Sequence, residues 1–190
     1  MTLDAPGFAD PVMEAQSCFR AVLDAMAHPG SLPVIACVLA APPLDQATAA
    51  VLLTLADAAT PVWLAGETAS AWDWLAFHSG APRAASIGGA GFICATEMPN
   101  LDLLEAGSDA APETAATLIL QVPALEGGPP LILYGPGLEA PTRFAPQGLP
   151  EDFVKQWSAN HRLFPRGIDL ILCCGEQLCG LPRSLRIGAA

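Results

Sequence analysis

Residues 167–175 read GIDLILCCG, a short apolar run with a glycine at each end. The run is too brief for an ordinary helix and is built from the aliphatic and small residues of a sheet interior, so it predicts a core strand. Cys173 and Cys174 would then point to opposite faces of that strand. This opposes joint metal chelation, even with Cys179 and His161 close in sequence, and both read as buried thiols. Upstream, PEDFVKQWSANHRLF (150–164) predicts a helix with Phe153, Val154, Trp157, His161 and Phe164 along its core-facing stripe. Lys155, the sole lysine, falls on the opposite side of that helix, solvated and protonated, which is the reverse of what an amine nucleophile needs. Downstream, RSLRI (183–187) predicts a short final strand.

The same alternation runs through the rest of the chain. LPVIACV (32–38), VWLAG (62–66) and GFICAT (91–96) predict strands. DQATAAVLLTLADAA (45–59), capped by Asp45, and TASAWDWLAFHSG (68–80), capped by Thr68 and closed by Gly80, predict helices. ATLILQV (116–122) and LILYG (131–135) are joined by PALEGGPP, short enough for neighbouring antiparallel strands, and TRFA (142–145) adds a further short strand. Helix and strand in alternation, with one antiparallel connection, imply an α/β fold around a mixed sheet. The 190 residues read as a single domain over 1–190, without repeat or linker.

The first helix lies in DPVMEAQSCFRAVLDAMAHPG (10–30). Asp10 caps it, Pro11 fits its first turn, and Val12, Ala15, Phe19, Val22, Leu23 and Met26 form a stripe expected to pack on the core. His28 falls off the stripe and precedes a proline, so it reads as a helix-end residue rather than a base. Arg20 stands in an i, i+4, i+8 row with Gln16 and Asp24, where a surface ion pair is the simpler reading and an anion contact the functional one.

Composition narrows the function. Hydrophobic residues make up 52% of the chain and charged residues 14%, which leaves little charge to cover a surface and implies apolar area buried against a partner. No apolar segment reaches the ~20 residues that span a bilayer, and no leader opens the sequence, so a soluble, cytoplasmic protein is expected. Eight basic against 19 acidic residues exclude a broad nucleic-acid-binding face. An anionic ligand would have to be held by a few arginines. Six cysteines without a framework spacing read as reduced thiols. The common phosphate-loop, dinucleotide, nucleophile-elbow, zinc-protease and iron–sulfur patterns are absent, and the glycines of IGGAGF and YGPGLE read as turns. WLAFHSGAPR is different, because it gathers His78, Ser79 and Arg83 around a helix end where an arginine could bind an oxyanion and a histidine could move a proton. Ordinary helix-end and turn roles account for the same residues equally well.

Taken in order, PVMEAQSCFRAVLDAMAHPG, VLLTLADAATPVWL, FHSGAP, PETAATLILQVPALEGG, YGPGL and FPRGIDLILCCGEQLCGLPRS resemble the H subunit of the bacterial carbon–phosphorus lyase system, the PhnH family of phosphonate degradation. In the opening segment the resemblance rests on Q-x-x-F-R and A-M-x-x-P-G, with His28 outside the pattern, whereas His78 and Ser79 sit within F-H-[ST]-x-A-P. The resemblance implies a three-layer α/β/α sandwich related to the pyridoxal-phosphate-dependent transferases but without their cofactor, and a homodimer. It also implies assembly with the G, I and J subunits. That complex uses ATP to attach a phosphonate to ribose, and the J subunit then breaks the carbon–phosphorus bond by radical chemistry for which this chain has no cluster ligands. The chain is therefore expected to be a subunit that is not catalytic alone, with a phosphonate or nucleotide pocket near His78, Ser79, Arg83 and Arg20 and with no cofactor or metal of its own. An independent small-molecule enzyme of transferase-like fold and a pure scaffold without a ligand are the competing readings.

Overall fold

The computed structural model describes residues 6–37 and 41–190. Four helices, α1 (Pro11–Ala27), α2 (Gln46–Leu55), α3 (Trp72–Ser79) and α4 (Phe153–His161), accompany eight strands. The strands are β1 (Val62–Leu64), β2 (Phe92–Ala95), β3 (Thr117–Gln121), β4 (Leu131–Tyr134), β5 (Thr142–Phe144), β6 (Asp169–Cys174), β7 (Gln177–Leu181) and β8 (Arg186–Ala189). The main sheet has the order β1-β2-β3-β6-β7, with the first four strands parallel and β7 antiparallel to β6. It is a mixed sheet, as the sequence predicts.

Alternation along the strands divides the core in two. Val62, Leu64, Cys94, Ile119, Ile171, Cys173 and Leu178 face the side covered by α1, α2 and α3. Ile93, Ala95, Leu118, Leu120, Leu170, Leu172, Cys179 and Leu181 face the other, where Phe153 and Trp157 of α4 meet Leu131, Leu133, Phe144 and Ile187 of a three-stranded antiparallel sheet, β5-β4-β8. The second outer layer is thus α4 together with a small sheet, a departure from a plain α/β/α sandwich. Cys173 and Cys174 do lie on opposite faces, and among the described residues no group of His, Cys, Asp and Glu is arranged to hold a metal ion.

Several expectations need correction. β3 and β4 do not pair: both edges of β3 are occupied by the parallel partners β2 and β6, and β4 joins β5 and β8 instead. The segment 32–37 is extended but forms no strand, although Ile35 N–H donates to Glu176 O and Val34 bridges Gln177 at the β7 edge; Val38 lies outside the described residues. β7, QLCGL, is an addition: it is short and interrupted by Gly180, yet it pairs with β6 and buries Leu178, Cys179 and Leu181. Thr68 caps nothing; its buried hydroxyl donates to Ala65 O and Cys94 O, and a 3-10 turn (Gly66–Ala71) precedes α3. Asp45 occupies the cap position of α2, but its carboxylate accepts from Gly175 N–H after β6, tying that loop to the helix start.

The face of α1 is the largest correction, although Val22 and Met26 of the expected stripe do meet the core. The helix buries Cys18, Val22 and Ala25, whereas Val12, Phe19 and Leu23 are 77%, 50% and 59% exposed. At 100° per residue the buried set is centred about 80° from the predicted stripe. Apolar residues cover both arcs, and only one of the two is used by the chain's own core.

Candidate functional site

α3 is followed by an exit turn that fixes where His78, Ser79 and Arg83 stand. Gly80 takes the left-handed conformation (φ 68°) and its N–H donates to Ala76 O, closing the helix. Ser79 turns back on this same end: its hydroxyl donates to Leu75 O at 2.7 Å and accepts from Ala81 N–H at 3.1 Å. The chain then runs beside β1, where Val62 N–H donates to Pro82 O and Ala84 N–H to Val62 O, so Arg83 sits at a sheet edge with its side chain outward. Its guanidinium lies over the Trp72 ring, 5.5 Å from the centroid.

His78 is exposed yet closely neighboured. Its ring meets Phe77 edge-on at 5.0 Å and Trp74 at 5.4 Å between centroids, and a side chain at Gly7 would strike it. Arg20 is exposed on α1, with no ion pair or hydrogen bond to the described residues; its row neighbour Asp24 pairs with His28 Nδ1 at 3.0 Å instead. That contact at the C-cap of α1 is the helix-end role expected for His28. His78, Ser79 and Arg83 thus share one helix exit, while Arg20 belongs to another helix, and none of the four lines any of the five principal cavities among the described residues.

Two cavities flank the parallel sheet. The one at the first residues of β2 and β3, about 690 Å³, is lined by Gly88–Gly91, Glu105 and Glu113. Gly89 N–H is spent on the turn to Ser86 O, as IGGAGF predicts, and Gly91 N–H donates to Pro61 O at the entry to β1. The other, about 340 Å³ at the carboxyl ends of β1 and β2, carries Glu67 and Glu97. Neither is lined by a basic side chain.

A third cavity, about 590 Å³, opens between α4 and the small sheet and is lined by Tyr134, Ser158, His161, Arg162, Arg186, Ile187 and Gly188. Sequence reasoning places only His161 near a core, and the structure finds it half-buried with Nδ1 3.1 Å from Arg183 O. Residues 134, 161–162 and 186 share no motif. The β4–β8 register, Tyr134 opposite Arg186, and the packing of α4 on β8 bring them together, so only topology could reveal the set. Arg183, three residues before Arg186, is structural: it grips Asp169 through Nε and Nη2 at 3.0 and 2.5 Å and donates from Nη1 to Pro112 O. Four buried thiols, Cys18, Cys94, Cys173 and Cys179, are held protonated by burial, which pushes Cys18 up to about 11 and Cys94 and Cys179 to about 12. They are poor nucleophiles.

Known proteins bear on this geometry. A protein of Rhizobium meliloti (strain 1021) named alpha-D-ribose 1-methylphosphonate 5-triphosphate synthase subunit PhnH is 44% identical over 191 residues, covering 95% of this chain and 93% of that protein. A putative C-P lyase subunit protein, HtxG, of Stutzerimonas stutzeri is 32% identical over 176 residues, covering 90% of this chain and 85% of that protein. The family described as bacterial phosphonate metabolism protein (PhnH) matches residues 6–188. With the family match and the more similar relative both spanning nearly its whole length, the chain belongs to the PhnH family of bacterial phosphonate metabolism proteins.

Proposed function

We propose that this chain is a subunit, not catalytic alone, of a cytoplasmic carbon–phosphorus lyase complex. In that complex it supports the ATP-dependent formation of ribose 1-phosphonate triphosphate and the later cleavage of the carbon–phosphorus bond. It works as a homodimer together with the G, I and J subunits. The observation that carries the reading is the unburied apolar arc of α1, Val12, Phe19 and Leu23, on a chain that belongs to a phosphonate-metabolism family. The relatives' names, a synthase subunit and a C-P lyase subunit, support a role inside an assembly. No helix among the described residues is long and apolar enough to cross a membrane, in keeping with a complex that works in solution.

A topology related to the pyridoxal-phosphate-dependent transferases belongs to the same proposal. The exposed position of Lys155 on α4 supports a chain that forms no aldimine. The helix exit bearing His78 and Arg83 is proposed as the contact for phosphonate, nucleotide or partner, with Ser79 shaping the turn and Arg20 adding charge from α1. His78→Ala and Arg83→Ala, both exposed, are expected to shift stability by less than about 0.5 kcal/mol. They should also slow growth on a phosphonate as sole phosphorus source, or lower the yield of complex co-purified with G, I and J. Wild-type growth and yield in both variants would overturn the site, and failure of the wild-type chain to co-purify with those subunits would overturn the assembly.

A further inference from the structure

We propose that the groove between α4 and β8 is a binding site for a small organic phosphate or phosphonate, with Arg162 and Arg186 as its charge partners. Charge is the first observation. The chain has 19 acidic and only eight basic residues, and of the arginines, Arg166 pairs with Asp109, Arg183 with Asp169, and Arg83 covers Trp72. Arg162 and Arg186 make no ion pair among the described residues, yet they come from different elements to line one cavity that has no carboxylate in its wall. Two like charges facing one groove repel, and an oxyanion between them removes the repulsion.

The walls are fixed in advance. Trp157 Nε1–H of α4 donates to Leu185 O at 2.8 Å, Asn160 exchanges two hydrogen bonds with Ile168, and His161 Nδ1–H donates to Arg183 O. Arg186 is held in the β4–β8 ladder opposite Tyr134. The backbone of the groove therefore needs little ordering on binding, which leaves the two arginine side chains as what a ligand would fix. His161 keeps Nε2 for a ligand, and Ser158, one turn earlier on α4, adds a hydroxyl.

The cavity also specifies more than an anion. At about 590 Å³ it is in the range of small-molecule sites and far exceeds a bare phosphate. Tyr134, 38% exposed, runs beside Gly188, where a Cβ would come 3.8 Å from its Cε2, so an apolar or planar part of the ligand can lie along the ring. Complementing the dipole at the end of α4 would explain Arg162 and His161 alone. It does not explain Arg186 and Tyr134, which lie on strands.

Calorimetry on the full chain with AMP, adenosine and inorganic phosphate tests the site. AMP should bind more tightly than phosphate and weaken as salt rises, and adenosine should not bind at the same concentrations. Arg162→Gln and Arg186→Gln should each weaken AMP by about ten-fold or more, as expected for one charged hydrogen bond, and together abolish binding. Arg143→Gln, exposed on β5 and outside the groove, should bind as wild type, and circular dichroism melts of all variants should coincide. No binding of AMP or phosphate by the wild type at millimolar concentration, adenosine binding as well as AMP, or wild-type affinity in the double variant would each overturn the site. Phosphate bound as tightly as AMP would overturn the organic ligand.

Discussion

Cys18, Cys94 and Cys179 stabilise the fold only as neutral thiols. An unfolded thiol titrates near 9.0, whereas burial holds these three at about 11, 12 and 12. Above pH 9 the unfolded chain gives up protons that the folded one keeps. Stability is therefore complete below pH 9 and is lost as pH climbs toward the folded values, by about 1 kcal/mol per thiol at pH 10. Urea midpoints should fall between pH 8 and pH 10, and the fall should be smaller in Cys94→Ala. An equal fall in wild type and variant would show that Cys94 does not drive it. At this scale the sequence is partly legible. Spacing reads the cysteines as buried thiols and His28 as a helix end; five of the six cysteines are buried, whereas Cys174, on the other face of β6, is only half-buried. Spacing could not show that the Ser79 hydroxyl is spent on its own turn or that Arg183 grips Asp169, because those contacts depend on how the chain comes back to itself.

Segments that resemble the family prove to be where elements touch most closely. A Cβ at Gly137 of YGPGL would lie 1.9 Å from Ala27 O and 3.1 Å from Pro29, at the A-M-x-x-P-G end of α1, so two motifs far apart in sequence are one packing contact. Gly180 of β7 plays the same part: a Cβ there would stand 2.7 Å from the backbone of Ala25 and Met26. Backbone cannot give way as a flexible side chain can, so Gly180→Ala must push α1 off the sheet. It is expected to cost about 1–3 kcal/mol, read as a lower urea midpoint. An unchanged midpoint would mean that α1 is loosely seated. This also explains which elements the sequence revealed. Continuous apolar runs such as 170–174 announce themselves, whereas the short QLCGL of β7 is a strand through its pairing with β6, and its Gly180 is there to admit α1. The β3–β4 expectation failed for a related reason: a short connection shows that two strands can pair, not that the edge is vacant.

Across the whole molecule, the apolar surface exceeds what one chain can bury. α1 carries two apolar arcs. Cys18, Val22 and Ala25 meet the core, and Val12, Phe19 and Leu23, with Met13 alongside, remain exposed. A chain with only 14% charged residues has few means of keeping such an arc solvated, so burial against another chain is the economical outcome. Phe19 and Leu23 lie one turn apart, the spacing at which a partner covers both, and buried aromatic anchors commonly carry about 2 kcal/mol or more of an interface. Phe19→Glu and Leu23→Glu replace side chains that are exposed on the single chain and should leave its circular dichroism spectrum unchanged, lowering the melting temperature only by the stability the dimer supplied. In light scattering at micromolar concentration the wild type should be a dimer and the double variant a monomer, a separation that a purely structural α1 would not produce. A double variant that stays dimeric and still co-purifies with G, I and J would show that this arc is simply exposed. A double variant that stays dimeric but no longer co-purifies would assign the arc to a neighbouring subunit and place the self-association on another face.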